Sequence, residues 1–229
     1  MIREVFITET NCITPLGFTL ETNIQNIENG VSGIRLHENL GLMKTSFYAS
    51  IIDDEILNSA FAKVSKSDDF TRLEKMMILA LQPIVEKSKD SLNSKTGLIL
   101  STTKGNITAL KNQTQENLKS AQLSELAKKV FSFFGFQTEP IVVSNACVSG
   151  ILAVSVAKRL IQSEMYDNIF IVAGDEVSEF VLSGFNSFQA ISDLPCKPYS
   201  KNRTGVTLGE ATTAVLVSAN AKNAKVKII

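Results

Sequence analysis

Four stretches of the chain are apolar at consecutive positions rather than at alternate ones: VFIT (5–8), GLILST (97–102), PIVVS (140–144) and NIFIVAG (168–174). Unbroken apolar runs of this length predict strands buried on both faces, as in a parallel sheet covered by helices. Between them the apolar period lengthens to three or four residues. Leu20 to Asn29 carries Ile24 and Ile27 on one face and stops at Gly30. A second helix, capped by Asp68 or Asp69, would bury Leu73, Met76, Met77, Ala80, Leu81 and Ile84. Pro83 should kink that helix or end it early. A third runs through Leu123, Leu126, Val130 and Phe133 and is closed by Gly135. A fourth extends from Cys147 to about Gln162 with no charged side chain before Lys158, which predicts a helix buried between layers. Two strands at 212–218 and 225–229 follow a segment, 175–210, that is richer in Gly, Pro, Ser and aromatics. Strands alternating with helices argue for an α/β fold with a mixed, mainly parallel sheet.

The chain has 229 residues and 44% hydrophobic content, enough to bury a core in one large domain or two small ones. No linker, internal repeat or low-complexity tract divides it. Basic and acidic residues both number 23, so no wide positive field exists to hold a phosphate backbone, and nucleic acid is not an expected partner. Apolar runs such as MMILAL (76–81) fall far short of the roughly 18–20 residues that span a bilayer. The N-terminal MIREVFITET lacks a signal-peptide core, so the expected location is the cytoplasm and no membrane partner is expected. The chain stops at KVKII, inside a predicted strand. That ending fits either a sheet-forming terminus or a cut through a longer protein.

Cys12, Cys147 and Cys196 are odd in number and widely spaced, which fits neither a disulfide framework nor a zinc site with paired ligands. Any cysteine chemistry is therefore that of a free thiol. The single histidine, His37, lies in the loop-like SGIRLHENLG and is expected at the surface. The stretch VVSNACVSGIL (142–152) places Cys147 where an apolar strand turns into an apolar helix. In the first turn of a helix, unpaired N–H groups and the dipole favour thiolate, the nucleophilic form, and the residue's own N–H offers an oxyanion site. Ala146 and Gly150 around it are like the small residues of a nucleophile elbow. On this stretch alone, a packed inert cysteine stays an open alternative.

The order of the stretches decides further. VFITETNCITPLG, VVSNACVSGILAVSVAKRLI, NIFIVAGDEVSEF, GFNSFQAIS, CKPYSKNRTG and GEATTAVLVS together resemble the N-terminal half of the β-ketoacyl synthase family of the thiolase superfamily, across nearly all of residues 1–229. The resemblance implies a thiolase-like half with a five-stranded sheet and helices on both faces. It implies that Cys147 accepts an acyl group from a thioester and passes it to the carbanion of a decarboxylated malonyl thioester. The two histidines that the family's condensation uses belong to a C-terminal half absent from this sequence, so this chain alone could at most be acylated. Acyl carrier protein, acyl and malonyl thioesters and a homodimer or a heterodimer with another synthase subunit are the implied partners. No metal or organic cofactor is implied. Phe185 in SGFNSF and Lys104 in GLILSTTKGN match positions near the acyl pocket, where relatives carry a small or apolar residue in place of Lys104; it either reaches solvent or makes the pocket polar. Gly209 and Glu210 are implied to be structural residues beside the site. In PYSKNRTGVTLGEA, Ser200, Thr204 and Ala211 replace two acidic residues and a glycine of the family pattern. Lys63, Lys66, Arg72 and Lys75 would form a basic face toward an acidic carrier or a plain solvated surface. The rival reading is a catalytically inactive thiolase-like domain that binds another synthase as a scaffold.

Overall fold

The unbroken apolar runs form the middle of one sheet. The computed structural model describes residues 3–38, 46–111 and 114–229. In chain order its elements are β1 (Phe6–Ile13), α1 (Leu20–Glu28), β2 (Arg35–His37), β3 (Phe47–Ser50), α2 (Asp54–Phe61), α3 (Arg72–Lys87), β4 (Thr96–Ser101), α4 (Gln115–Ser120), α5 (Leu123–Phe134), β5 (Ile141–Val143), α6 (Ser149–Gln162), β6 (Asn168–Asp175), α7 (Glu179–Ser187), β7 (Leu208–Gly209), β8 (Ala211–Ser218) and β9 (Val226–Lys227). The main sheet has the order β5-β4-β6-β8-β1-β9. β5, β4 and β6 are parallel neighbours, and β8 is antiparallel to both β6 and β1, so β1 runs with the first three. The five expected strands are those from β5 to β1. The sixth, two-residue β9 is added at the edge, where Lys225 and Ile228 donate backbone N–H groups to the carbonyls of Ile7 and Val5.

Strand alternation sorts the buried side chains into two cores, which places helices on both faces of the sheet. Leu98 and Leu100 of β4, Phe170 and Val172 of β6, and Ala214 and Leu216 of β8 pack with α3 and α5. Ile99, Ile169, Ile171 and Val217 face the other way, onto Ala153, Ala157 and Ile161 of α6. Complete burial of each large aliphatic side chain contributes about 1.5–3 kcal/mol, so the two layers rather than any single bond hold the sheet in place between them. A second, three-stranded sheet of order β2-β3-β7 covers a small cluster of Phe47, Ala49 and Leu182.

Several expectations are corrected by local chemistry. α3 is capped by Thr71, not by Asp68 or Asp69: the Thr71 hydroxyl accepts the Glu74 N–H at 3.3 Å and the Glu74 carboxylate accepts the Thr71 N–H at 2.8 Å. The helix also continues through Pro83 to Lys87. Leu81, Ile84 and Val85 are buried on either side of the proline, and their packing outweighs one lost backbone bond. Ile24 and Ile27 of α1 are exposed, at 47% and 63%. The buried residue is Asn23, whose amide donates to the carbonyls of Cys12, Gly17 and Thr19, so α1 is tethered by hydrogen bonds instead of an apolar stripe. α6 is buried on one face only, with Ile151 69% exposed, because the sheet covers a single side of it. His37 is not on a solvated loop: it stands in β2, stacked on Phe47 with Nε2 3.2 Å from the Ala49 carbonyl. Residues 39–41 of that stretch lie outside the described residues.

Candidate active site

β5 ends at Val143, and six residues later α6 begins; the turn between them is held by its own backbone and one hydroxyl. Ala146 has φ 45°, a left-handed conformation costly for a residue with a Cβ. Ser149, buried, fastens it: its hydroxyl accepts the Asn145 N–H at 2.8 Å and donates to the Ala146 carbonyl at 2.7 Å. Val148 and Ser149 donate backbone N–H groups to the carbonyls of Asn145 and Ala146, both at 3.2 Å. Cys147 is carried on this turn and is exposed. It is not in the first turn of the helix as expected, but one residue outside the cap residue Val148, because the left-handed step at Ala146 delays the helical backbone to Ser149. Gly150 is less constrained than the elbow comparison implied, since a Cβ there would meet Ala173 Cβ at an ordinary 3.6 Å.

The other candidates come to the same end of the sheet. Ser101 of β4 pairs with Val143 of β5 and with Ala173 of β6, so the segments after these three strands emerge side by side. In open α/β sheets that end is where ligands bind. Lys104 lies on the segment after β4 and is exposed. Phe185 is on α7, after β6, and is 37% exposed. Gly209 closes β7 opposite Ser50, and the Glu210 N–H donates to the Ser50 carbonyl at 2.8 Å. A cleft of about 350 Å³ opens between residues 107–111 and α7, lined by Ile107, Leu110, Phe180 and Ser183 among others. Lys111 and Glu179 pair within it at 3.0 Å. Cys147 is not among its lining residues.

Glu210 is buried and fully engaged. Its carboxylate accepts from Ile52 N–H (2.9 Å), Val177 N–H (3.1 Å) and the Arg72 guanidinium (3.1 Å to Nε, 2.6 Å to a terminal nitrogen). Arg72 also bonds Asp54 and the Ile52 carbonyl, so it belongs to this network and not to a basic surface with Lys63, Lys66 and Lys75. Burial disfavours the Arg72 charge, but the hydrogen bond and charge of Glu210, with Asp54 and Glu176, outweigh it and raise its pKa.

Two residues that the sequence reading passed over join the site from the end of β6. Asp175 accepts from the hydroxyls of Thr102 and Thr103 and from the N–H groups of Thr103 and Lys104. Glu176, buried, accepts the Thr108 hydroxyl at 2.7 Å. Burial above all raises the Glu176 pKa; the Thr108 bond and Arg72 oppose this, and the charges of Glu210 and Asp175 add to it. A raised carboxyl pKa in the fold stabilises below the ordinary carboxylate range, and that stability is lost as pH rises through the raised value. Thermal unfolding should therefore show wild-type protein losing stability as pH rises out of the ordinary carboxylate range, and Glu176→Gln should flatten that slope. The only signal for these residues in the sequence was a pair of acids directly after an apolar strand.

Among the described residues no cluster of His, Cys, Asp or Glu could hold a metal ion, and no helix is long and apolar enough to cross a membrane. The sheet order, with helices on both faces, is that of a thiolase-like fold. The family described as "Beta-ketoacyl synthase, N-terminal domain" matches residues 2–223, and the chain belongs to it. No curated protein matches the chain. Among solved structures, the ishigamide ketosynthase/chain length factor is similar at TM-score 0.80 and 19% identity, covering 98% of this chain and 61% of its own. A ketosynthase (ApeO) in complex with its chain length factor (ApeC) from Xenorhabdus doucetiae gives 0.76 and 17%, covering 95% and 58%. A β-ketoacyl synthase from Burkholderia phymatum STM815 gives 0.75 and 17%, covering 96% and 60%. The chain thus spans about three-fifths of the length of the solved chains it matches.

Proposed function

We propose that this chain is the N-terminal half of a β-ketoacyl synthase-type acyltransferase, and that Cys147 is its acyl acceptor. The observation that carries the reading is the exposed Cys147 thiol, held by a strained, hydroxyl-fastened turn at the sheet end where the segments after β4 and β6 converge. The Cys147 sulfur attacks the carbonyl of an acyl thioester; a new C–S bond forms, the C–S bond to the carrier breaks, and the carrier leaves as a thiol with the proton that Cys147 gives up. In condensation, a malonyl thioester loses carbon dioxide and its enolate carbon attacks the acyl-cysteine, releasing Cys147 as thiolate. That second step uses two histidines from a C-terminal half. Lys104 and Phe185 bound the acyl site, while Ala146 and Gly150 shape the turn and Gly209 and Glu210 hold the loops beside it. No bound cofactor takes part, because covalent thioester chemistry and positioned donors suffice.

The partners proposed are acyl carrier protein and a second synthase subunit, as a homodimer or a heterodimer, in the cytoplasm. Two of the similar structures are ketosynthases paired with chain length factors, which supports a paired subunit. Large apolar side chains left exposed on and beside α6 and α7, Val148, Ile151, Phe180 and Phe188, support a covering partner as well. The rival, an inactive scaffold domain, draws support from a lone histidine already stacked in β2. One assay separates the two. The full chain, alone and mixed with a family C-terminal half, is incubated with an acyl N-acetylcysteamine thioester and its peptides are weighed by mass spectrometry. The acyl mass is expected on the peptide containing Cys147; no adduct under either condition would leave the scaffold reading standing.

A further inference from the structure

We infer that Asp175 is a positioning residue for the acyl site, an assignment that rests on the acyltransferase reading. One oxygen of its carboxylate, Oδ1, gathers four donors: Thr102 Oγ1 at 2.8 Å, Thr103 N at 2.9 Å, Thr103 Oγ1 at 2.8 Å and Lys104 N at 3.4 Å. Hydrogen bonds to an ionised acceptor are about twice as strong as neutral ones, so this carboxylate fixes the path of residues 102–104. Thr102 relays the hold onward, since its hydroxyl also accepts the Gly105 N–H at 3.1 Å.

The rest of the segment is anchored elsewhere. Asn106, buried, donates to Glu74 and to the Ser120 carbonyl and accepts from Thr71, while Thr108 is held by Glu176. The side-chain hydrogen bonds of Asp175 therefore fall on the stretch that carries Lys104. The core below does not depend on it: Leu98 and Leu100 are sealed by α3 and α5, whereas Lys104 points its exposure outward. The segment lies beside the Cys147 turn because β4 and β5 are parallel neighbours paired at Ser101 and Val143. Asp175 sets where the wall of the acyl site stands relative to the thiol, and so which acyl groups reach it.

The test uses the full chain with acetyl and octanoyl N-acetylcysteamine thioesters, and iodoacetamide as a thiol probe that needs no acyl site. Asp175→Ala is expected to slow acylation of Cys147 by about tenfold and to change the acetyl-to-octanoyl rate ratio by a similar factor, since misplaced reacting groups cost this much or more. Alkylation by iodoacetamide should stay within about twofold, because the thiol itself is untouched. Asp175→Asn keeps an oxygen facing the same donors and should bring the ratio most of the way back to wild type. Thr103→Val removes one of the four bonds at nearly constant shape and should fall between, which keeps the test alive where the alanine variant folds poorly. Wild-type acylation together with unchanged ratios in Asp175→Ala and Thr103→Val would overturn the assignment alone. A wild-type Cys147 that takes no acyl group would overturn the acyltransferase reading, and this assignment with it.

Discussion

Glu210→Ala is expected to destabilise the fold by about 3–5 kcal/mol, the typical cost of removing one partner of a buried ion pair. The side chain of Glu210 is 1% exposed and that of Arg72 21% exposed, so water cannot replace the lost partner. Asp54, which is 80% exposed, remains near Arg72 but sits largely in solvent and compensates little. The N–H groups of Ile52 and Val177 lose their acceptor too, each at about 1–3 kcal/mol where it stays buried. These donors belong to different parts of the chain: α3, the segment after β3 and the segment after β6. The loss should therefore loosen the small sheet of β2, β3 and β7 from the main one, more than it opens the core around α3. Urea unfolding of the full chain is the measurement, with Glu210→Gln between wild type and alanine because it keeps shape and two acceptor bonds but no charge. A change below about 1 kcal/mol for the alanine variant would mean that Arg72 finds another partner.

The central sheet was legible because double burial leaves no room for polar alternation: β4 and β6 read as apolar runs and their helices as three-to-four periods. β2, β3, α2, α4 and α7 were not, since short or half-exposed elements carry little pattern of their own. α1 misled for a physical reason. Its isoleucines face out, and a buried asparagine does the anchoring that hydrophobic periodicity credits to them. α6 misled in the opposite sense: an apolar helix was read as enclosed, yet only the Ser149, Ala153, Ala157 and Ile161 face meets the sheet. Cys147 stood out through its place between strand and helix, and Glu210 through the resemblance of its stretch to the family pattern. Arg72 was read as a surface cation and Asp175 and Glu176 were passed over, because their roles arise from contacts between distant segments, as between Thr108 and Glu176 at 68 or Arg72 and Glu210 at 138 positions, which no local pattern encodes.

Cys147→Ala should abolish the acyl adduct, by a factor on the order of 10³ or more in rate, as removal of a catalytic nucleophile does. The contrast with the other thiols makes the result specific. Cys12 is half-buried in β1; burial first, and the Glu21 charge second, raise its pKa and keep it a thiol. Cys196 is half-buried, with its N–H bonded to the Thr207 hydroxyl on the long segment before β7. Cys12→Ala and Cys196→Ala should therefore leave the adduct intact. Cys147→Ser should fail almost as completely as alanine, since a serine hydroxyl is far less acidic and a much weaker nucleophile than a thiol. Stability should barely move in either variant, because an exposed side chain on this turn buries little surface and the hydroxyl of Ser149 still fastens the backbone. Adduct that persists in Cys147→Ala but vanishes in Cys12→Ala would transfer the chemistry to β1 and remove the case for the α6 turn.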